Sequence, residues 1–265
     1  MFIILILLFS IILLYLLFSI LYGFKDNFTN TKLNIPKKLI ISLSTLPSRI
    51  NNLEKVINSI NNNTIKPEFI YLNIPAFSKR ENTNYIIPEY LKNINNVIIN
   101  TCEDYGPITK LYPTLLKETD PDTIIICIDD DKEYDKYLIE NLLKGSTKYP
   151  EKCICVSGWN YLNLGFIALP FLDLSIKNVV RKVKILQCFN GVLYKRKFFD
   201  DSFKNFINIK PCFTTDDISI SKYLNSKNID IYNISFNLNN KNIKNKTSLG
   251  NINLINNNWI KCINT

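Results

Sequence analysis

Residues 124–128, Ile-Ile-Ile-Cys-Ile, form an unbroken apolar run of strand length, and three aspartates, Asp129, Asp130 and Asp131, follow it directly. A run of this kind reads as a buried strand, and it delivers a knot of carboxylates to its own C-terminal end. At an effective dielectric of about 20, two like charges about 5 Å apart repel by roughly 3 kcal/mol. Such a cluster persists most easily where a cation sits among the oxygens, so the strand end is expected to be a metal site.

The segments around this strand alternate in type. Residues 38–44 carry the strand core Leu39-Ile40-Ile41-Ser42-Leu43. Pro47 then opens a stretch with apolar residues at 50, 53, 56, 57 and 60, the spacing of an amphipathic helix. Strands are expected at 69–74 and 96–101, a short helix at 88–94, and a helix over 107–117 with proline in its first turn. The 123–128 strand leads to a helix at 137–144. This βαβ repetition predicts an α/β domain with a mostly parallel, Rossmann-like sheet flanked by helices, and ligands in such sheets lie beyond the carboxyl ends of the strands. The second half is less regular. Strands are expected at 153–157, 191–195 and 229–234, a helix at 216–224, and an aromatic-rich loop over 158–173.

The N-terminus has its own signature. No charged residue occurs from Phe2 to Phe24, and a helix of that length spans a bilayer core of roughly 30 Å. The expected organisation is a transmembrane helix over 2–24, a stem over 25–37, the α/β domain over 38–235 and an Asn/Lys-rich extension over 236–265. Lys25, Lys32, Lys37 and Lys38 follow the span, so flanking charge predicts a single-pass membrane protein with a cytosolic domain. A lumenal domain is the alternative orientation.

Composition excludes several chemistries. The chain has no histidine, which removes Ser-His-Asp and Cys-His nucleophile systems and the usual zinc hydrolases. Its seven cysteines are odd in number, scattered and without a C-x-x-C pair, so neither a disulfide framework nor a zinc site is expected. The net charge of +9 comes from lysines spread along the chain, with no arginine-rich or aromatic-interleaved cluster, which argues against nucleic acid. A diffuse basic surface suits anionic lipid or phosphate-bearing substrates.

Three clusters remain to carry chemistry. In an extended strand end, Asp129 and Asp131 share one face and Asp130 takes the other; oxygen-only ligation of that kind favours Mg²⁺ or Mn²⁺. A solvated acidic turn is the plain alternative. Asp216 and Asp217 open the 216–224 helix, where one carboxylate is explained as a cap and the second is left for proton transfer. The segment Asp104-Tyr105-Gly106-Pro107-Ile108-Thr109-Lys110 is a tight turn entering a helix. There Lys110 opposes the helix dipole and, with the terminal amides, is placed to meet a diphosphate. Trp159 is a candidate for stacking on a sugar ring.

The order of these pieces carries a resemblance. Residues 41–50 (ISLSTLPSRI), 104–111 (DYGPITKL), 128–131 (IDDD), 190–194 (NGVLY) and 215–217 (TDD) together resemble the GT-A nucleotide-sugar glycosyltransferases, closest to family-2-like members of microbes and large DNA viruses. The resemblance covers residues 38 to about 235. It implies the GT-A fold and a membrane-anchored, metal-dependent transfer of a sugar from a UDP- or GDP-sugar to a hydroxyl of a glycan, protein or lipid acceptor, with inversion. By resemblance, Asp129 and Asp131 are metal ligands, with Asp129 and Asp130 also at the nucleotide. Arg49, Asp104 and Lys110 serve the nucleotide diphosphate, Asp217 with Asp216 is the base, and Gly191 borders the acceptor. The late histidine that several relatives place on the metal is absent. A nucleotidyltransferase is the rival enzyme, disfavoured because no glycine follows the first strand, and a noncatalytic carbohydrate-binding relative is the rival binding protein, disfavoured by retention of both acidic clusters.

Overall fold

The computed structural model describes residues 6–14, 23–25, 28, 31–163, 168–170, 179–207, 209–243 and 258–265. Nine strands build one sheet: β1 (Gly23–Lys25), β2 (Leu39–Ser44), β3 (Phe69–Pro75), β4 (Val97–Cys102), β5 (Ile124–Cys127), β6 (Cys153–Trp159), β7 (Val179–Val183), β8 (Ile185–Lys195) and β9 (Ile231–Ile234). Their spatial order is β1-β7-β9-β6-β8-β5-β2-β3-β4. Strands β5, β2, β3 and β4 pair in parallel, β8 runs antiparallel between β5 and β6, and β6 and β9 are again parallel. Only β7 and β8 run against the rest, so the sheet is mostly parallel in direction, as expected.

The helices cover both faces because the strands alternate on both. Ile41 and Ile126 face α1 (Leu53–Asn61) and α3 (Leu138–Lys148), whose Leu53, Val56, Ile57, Ile60, Leu138 and Leu142 complete that layer. Their strand neighbours Ile40 and Ile125 face the opposite layer, with Leu115 of α2 (Tyr112–Lys117) and Ile220, Tyr223 and Leu224 of α4 (Asp216–Ser226). Full burial of each such side chain is worth about 1.5–3 kcal/mol.

Polar residues within this apolar sheet have a defined task. Asn100 Nδ2 donates to Asn73 Oδ1 at 2.8 Å, and Asn73 Nδ2 donates to Thr114 Oγ1 at 2.9 Å. Ser42 Oγ lies 2.6 Å from Thr114 Oγ1 and donates to the Lys110 carbonyl. This buried row crosses β4, β3 and β2 and fixes the backbone that carries Lys110.

Several expectations are corrected. The long apolar helix over 2–24 is not observed: the described helical stretch covers residues 6–14, about 13 Å at the usual rise. Gly23–Lys25 is instead an edge strand paired with Val179–Arg181, a backbone that excludes helix there. No described helix is long and apolar enough to cross a membrane, so the single-pass membrane assignment, with its cytosolic or lumenal orientation, is not supported. Residues 2–5 and 15–22 lie outside the described residues.

The 107–117 helix is split into a 3₁₀ turn, Gly106–Lys110, and α2. Pro113 lacks the N–H that a continuous helix would donate to the Thr109 carbonyl, and its ring crowds that carbonyl, which explains the break at Leu111. Lys110 therefore ends a 3₁₀ turn and does not begin a helix. The expected loop at 158–173 contains the end of β6 and a hairpin pairing Tyr161–Asn163 with Ala168–Pro170. Residues 164–167 and 171–178 lie outside the described residues. One disulfide joins Cys212 to Cys262, with five other cysteines free, so there is a single bond and no framework.

The described parts of the Asn/Lys-rich extension, 236–243 and 258–265, are joined to the domain. Lys241–Asn242 pairs with Lys132–Glu133, and the Ile243 N–H donates to the Asp131 carbonyl at 2.7 Å. Helix α5 (Asn258–Ile263) is held by the disulfide.

Candidate active site

Strands β2, β3 and β4 succeed one another to one side, whereas β5 lies on the other side of β2. The crevice beyond the carboxyl ends at such a reversal is the favoured ligand position of open α/β sheets. A cleft of about 780 Å³ opens there, lined by Arg49, Asp104, Lys110, Asp129, Asp130, Asp131, Trp159, Asp216 and Asp217 among others. Every site residue expected from sequence is thus at the cleft except Gly191. That glycine sits at φ +105° in a bulge of β8, where an added Cβ would lie 3.0 Å from Leu138. It packs the sheet onto Leu138 and Leu142 of α3 and is not among the residues that line the cleft.

The three aspartates separate by function. Strand β5 ends at Cys127 and the chain bends at Asp130 and Asp131, so the strict alternation of an extended strand is lost. Asp129 Oδ1 accepts from Lys110 Nζ at 2.6 Å, and its backbone N–H donates to the buried Tyr134 hydroxyl at 2.9 Å. Asp130 is buried, accepting from Thr45 Oγ1 at 2.6 Å and Arg49 Nη1 at 3.0 Å. Burial pushes its carboxyl up, against the pull of Arg49 and Thr45. Asp131 is about a third exposed and lies 3.7 Å from Arg49 Nη1. Burial and its two aspartate neighbours also raise its proton affinity. The pair on one face expected for Asp129 and Asp131 is therefore replaced by Asp130 and Asp131 sharing Arg49.

The cation that the strand-end carboxylates require is supplied first by the chain itself. Six aspartates line the cleft with five cations, Arg49, Lys79, Arg80, Lys110 and Lys132. Lys110 is the central one: buried, 2.6 Å from Asp129 and 3.0 Å from Asp216 Oδ2, the latter an ion pair without aligned hydrogen-bond geometry. Burial pulls its ammonium down, but the two carboxylates outweigh it and hold it well above the ordinary lysine value. A diphosphate role from a helix N-terminus does not apply to it. Asp104 is likewise occupied structurally, accepting from the N–H groups of Gly106 at 2.7 Å and Lys79 at 2.8 Å.

Asp216 and Asp217 open α4. Gly106 makes their approach to Lys110 feasible. At φ +69°, with its Cβ position 2.9 Å from the Phe213 ring, it lets the turn before Lys110 lie against the loop before Asp216. Asp217 Oδ1 accepts from the Cys188 N–H at 3.0 Å. Burial and the adjacent Asp216 push the Asp217 carboxyl up to about 7, with Lys110 opposing. The side chain keeps partial access to the cleft, as a proton acceptor needs.

Of the three strand-end aspartates, Asp131 offers the cleft the carboxylate with the longest cation contact, so a hard divalent ion would meet least competition there. Cys188, Asp216 and Asp217 also place potential ligand atoms within 4.8 Å of one another, but Lys110 already sits at Asp216. No family model matches this chain, and no curated protein matches it.

Sequence reading missed Arg80, Tyr85, Asn242 and Trp259 as cleft residues. Trp259 had one usable signal, being one of only two tryptophans in the chain. The others had none.

Proposed function

We propose that the protein is a metal-dependent glycosyltransferase of the GT-A type, moving a sugar from a nucleotide-sugar donor to a hydroxyl acceptor with inversion. The observation that carries this reading is the convergence of two acidic clusters, 85 residues apart in sequence, on one buried lysine, beside an aspartate whose proton affinity is tuned to about 7. A general base is most effective when its pKa lies near the operating pH. Asp217 accepts the proton of the acceptor hydroxyl as its oxygen attacks the sugar carbon, and the glycosidic bond to the diphosphate breaks. Lys79 and Arg80 bring positive charge to the cleft for the leaving diphosphate, and Arg49 offsets the charge of Asp130 and Asp131 beside it. Asp131 would hold Mg²⁺ or Mn²⁺, which when bound neutralises charge on the leaving diphosphate. Lys110 keeps Asp129 and Asp216 in place and stays protonated throughout.

The test is a screen of UDP- and GDP-sugars for Mn²⁺-dependent donor hydrolysis and transfer, with Asp131→Asn and Asp217→Asn alongside. Asp217→Asn is expected to lower transfer by about 10²–10⁴, and product from the wild type carries the inverted anomeric configuration. Unchanged turnover in both variants would sink the mechanism.

A further inference from the structure

The cleft is chemically mixed. Arg49, Lys79 and Arg80 line it together with Trp159, Phe213, Trp259 and Asp217, so charged and aromatic groups meet in one cavity. Trp159 ends β6, and Trp259 belongs to α5; their ring centroids are 6.0 Å apart and the planes meet at 81°. Helix α5 has only six residues, too few to hold itself, and is fastened to the elements that present the base. Cys262 is disulfide-bonded to Cys212, four residues before Asp216. Asn258 Nδ2 donates to Thr214 Oγ1 at 3.0 Å, and Lys222 Nζ of α4 donates to the Cys262 carbonyl at 3.1 Å. Cys262 and Ile263 pack with Ile185 and Ile218.

From this geometry we infer that Trp259, held by the Cys212–Cys262 bond, forms with Trp159 a subsite for a pyranose ring of a glycan acceptor. The inference deepens the transferase reading by assigning the acceptor class and a residue that selects it. Two indole rings near a right angle offer a sugar one face to stack on and one edge to border it, the contact that suits the apolar face of a pyranose with its hydroxyls left to polar groups. Asn242 and Thr214 line the same cleft and are the polar groups beside the pair. A lipid acceptor needs an apolar channel without that polar lining.

Since these are the only two tryptophans in the chain, fluorescence excited beyond the tyrosine absorption band reports on this subsite alone and needs no donor or turnover. Lactose, maltose, cellobiose and N,N′-diacetylchitobiose are titrated into the full chain, with dodecyl phosphate as the lipid-like probe. At least one disaccharide is expected to give a saturable change. Trp259→Ala weakens it about tenfold or more, as read at Trp159, whereas Trp259→Phe stays within a few-fold of wild type. Cys262→Ser, which keeps both indoles and frees the helix, weakens it likewise. Saturation by dodecyl phosphate alone, no response to any disaccharide, or equal affinity in Trp259→Ala and Trp259→Phe overturns the inference. Absence of donor hydrolysis, by contrast, counts against the transferase reading and leaves the binding result to stand by itself.

Discussion

Asp217→Asn separates function from stability most sharply. The rise of the Asp217 carboxyl from 3.8 to about 7 means that the folded protein holds this proton more tightly than the unfolded chain does. Between those two values the native state therefore binds more protons, and its stability falls as pH rises from about 4 to about 7. At about 1.4 kcal/mol per tenfold change in proton affinity, the full penalty above pH 7 is about 4 kcal/mol. Partial solvent access and coupling to Asp216 reduce it, so about 1–4 kcal/mol is expected. Asparagine removes the charge while its Oδ1 still accepts from the Cys188 N–H. The variant is thus expected to melt higher at pH 8, by about 2–4 °C per kcal/mol for a chain of this size, while losing transfer activity. Thermal melts from pH 4.5 to 8.5 check this directly, since the difference between variant and wild type grows with pH and levels off above 7. A variant that melts lower than wild type at pH 8, or a difference independent of pH, refutes the assignment of a strained, desolvated base. The same group predicts an acid limb near pH 7 in the rate profile of the wild type.

Arg49→Met leaves the buried Asp130 carboxylate with Thr45 as its side-chain hydrogen-bond donor, and removal of one partner from a buried pair costs about 3–5 kcal/mol; urea unfolding measures it, and the Arg49→Met, Asp130→Asn double variant is expected to recover much of the loss. A cost below about 1 kcal/mol would mean that Asp130 is uncharged in the native protein. Lys110→Met removes the charge that holds the Asp217 carboxyl down. The acid limb of kcat/KM is expected to move to higher pH, and an unmoved limb shows that Lys110 does not act on the base.

The site was legible in sequence wherever one strand or turn carried the signal. Asp129 to Asp131 follow the buried run of β5 directly, and parallel strands place their carboxyl ends at the ligand edge, so their position needed only periodicity. Asp216 and Asp217 were readable as two carboxylates at a helix start, but neither is the expected cap: Thr215 holds that position, Asp216 pairs with Lys110 and Asp217 accepts from Cys188. Lys110 was named for the wrong reason: the local pattern gave a helix start, whereas Pro113 breaks the helix and the side chain turns inward between two carboxylates.

What the chain determined by itself is the layer order. Neighbouring residues such as Ile40 and Ile41, or Ile125 and Ile126, face opposite ways, and that period of two obliges helices on both faces of the sheet. The missing histidines likewise settle at once which chemistries are excluded. Tertiary structure alone decided the pairings that give the cleft its charge balance, the union of Cys212 with Cys262, and the place of Trp259 at the rim. Each joins residues far apart in sequence, and no local periodicity encodes which distant side chain will neutralise a buried charge.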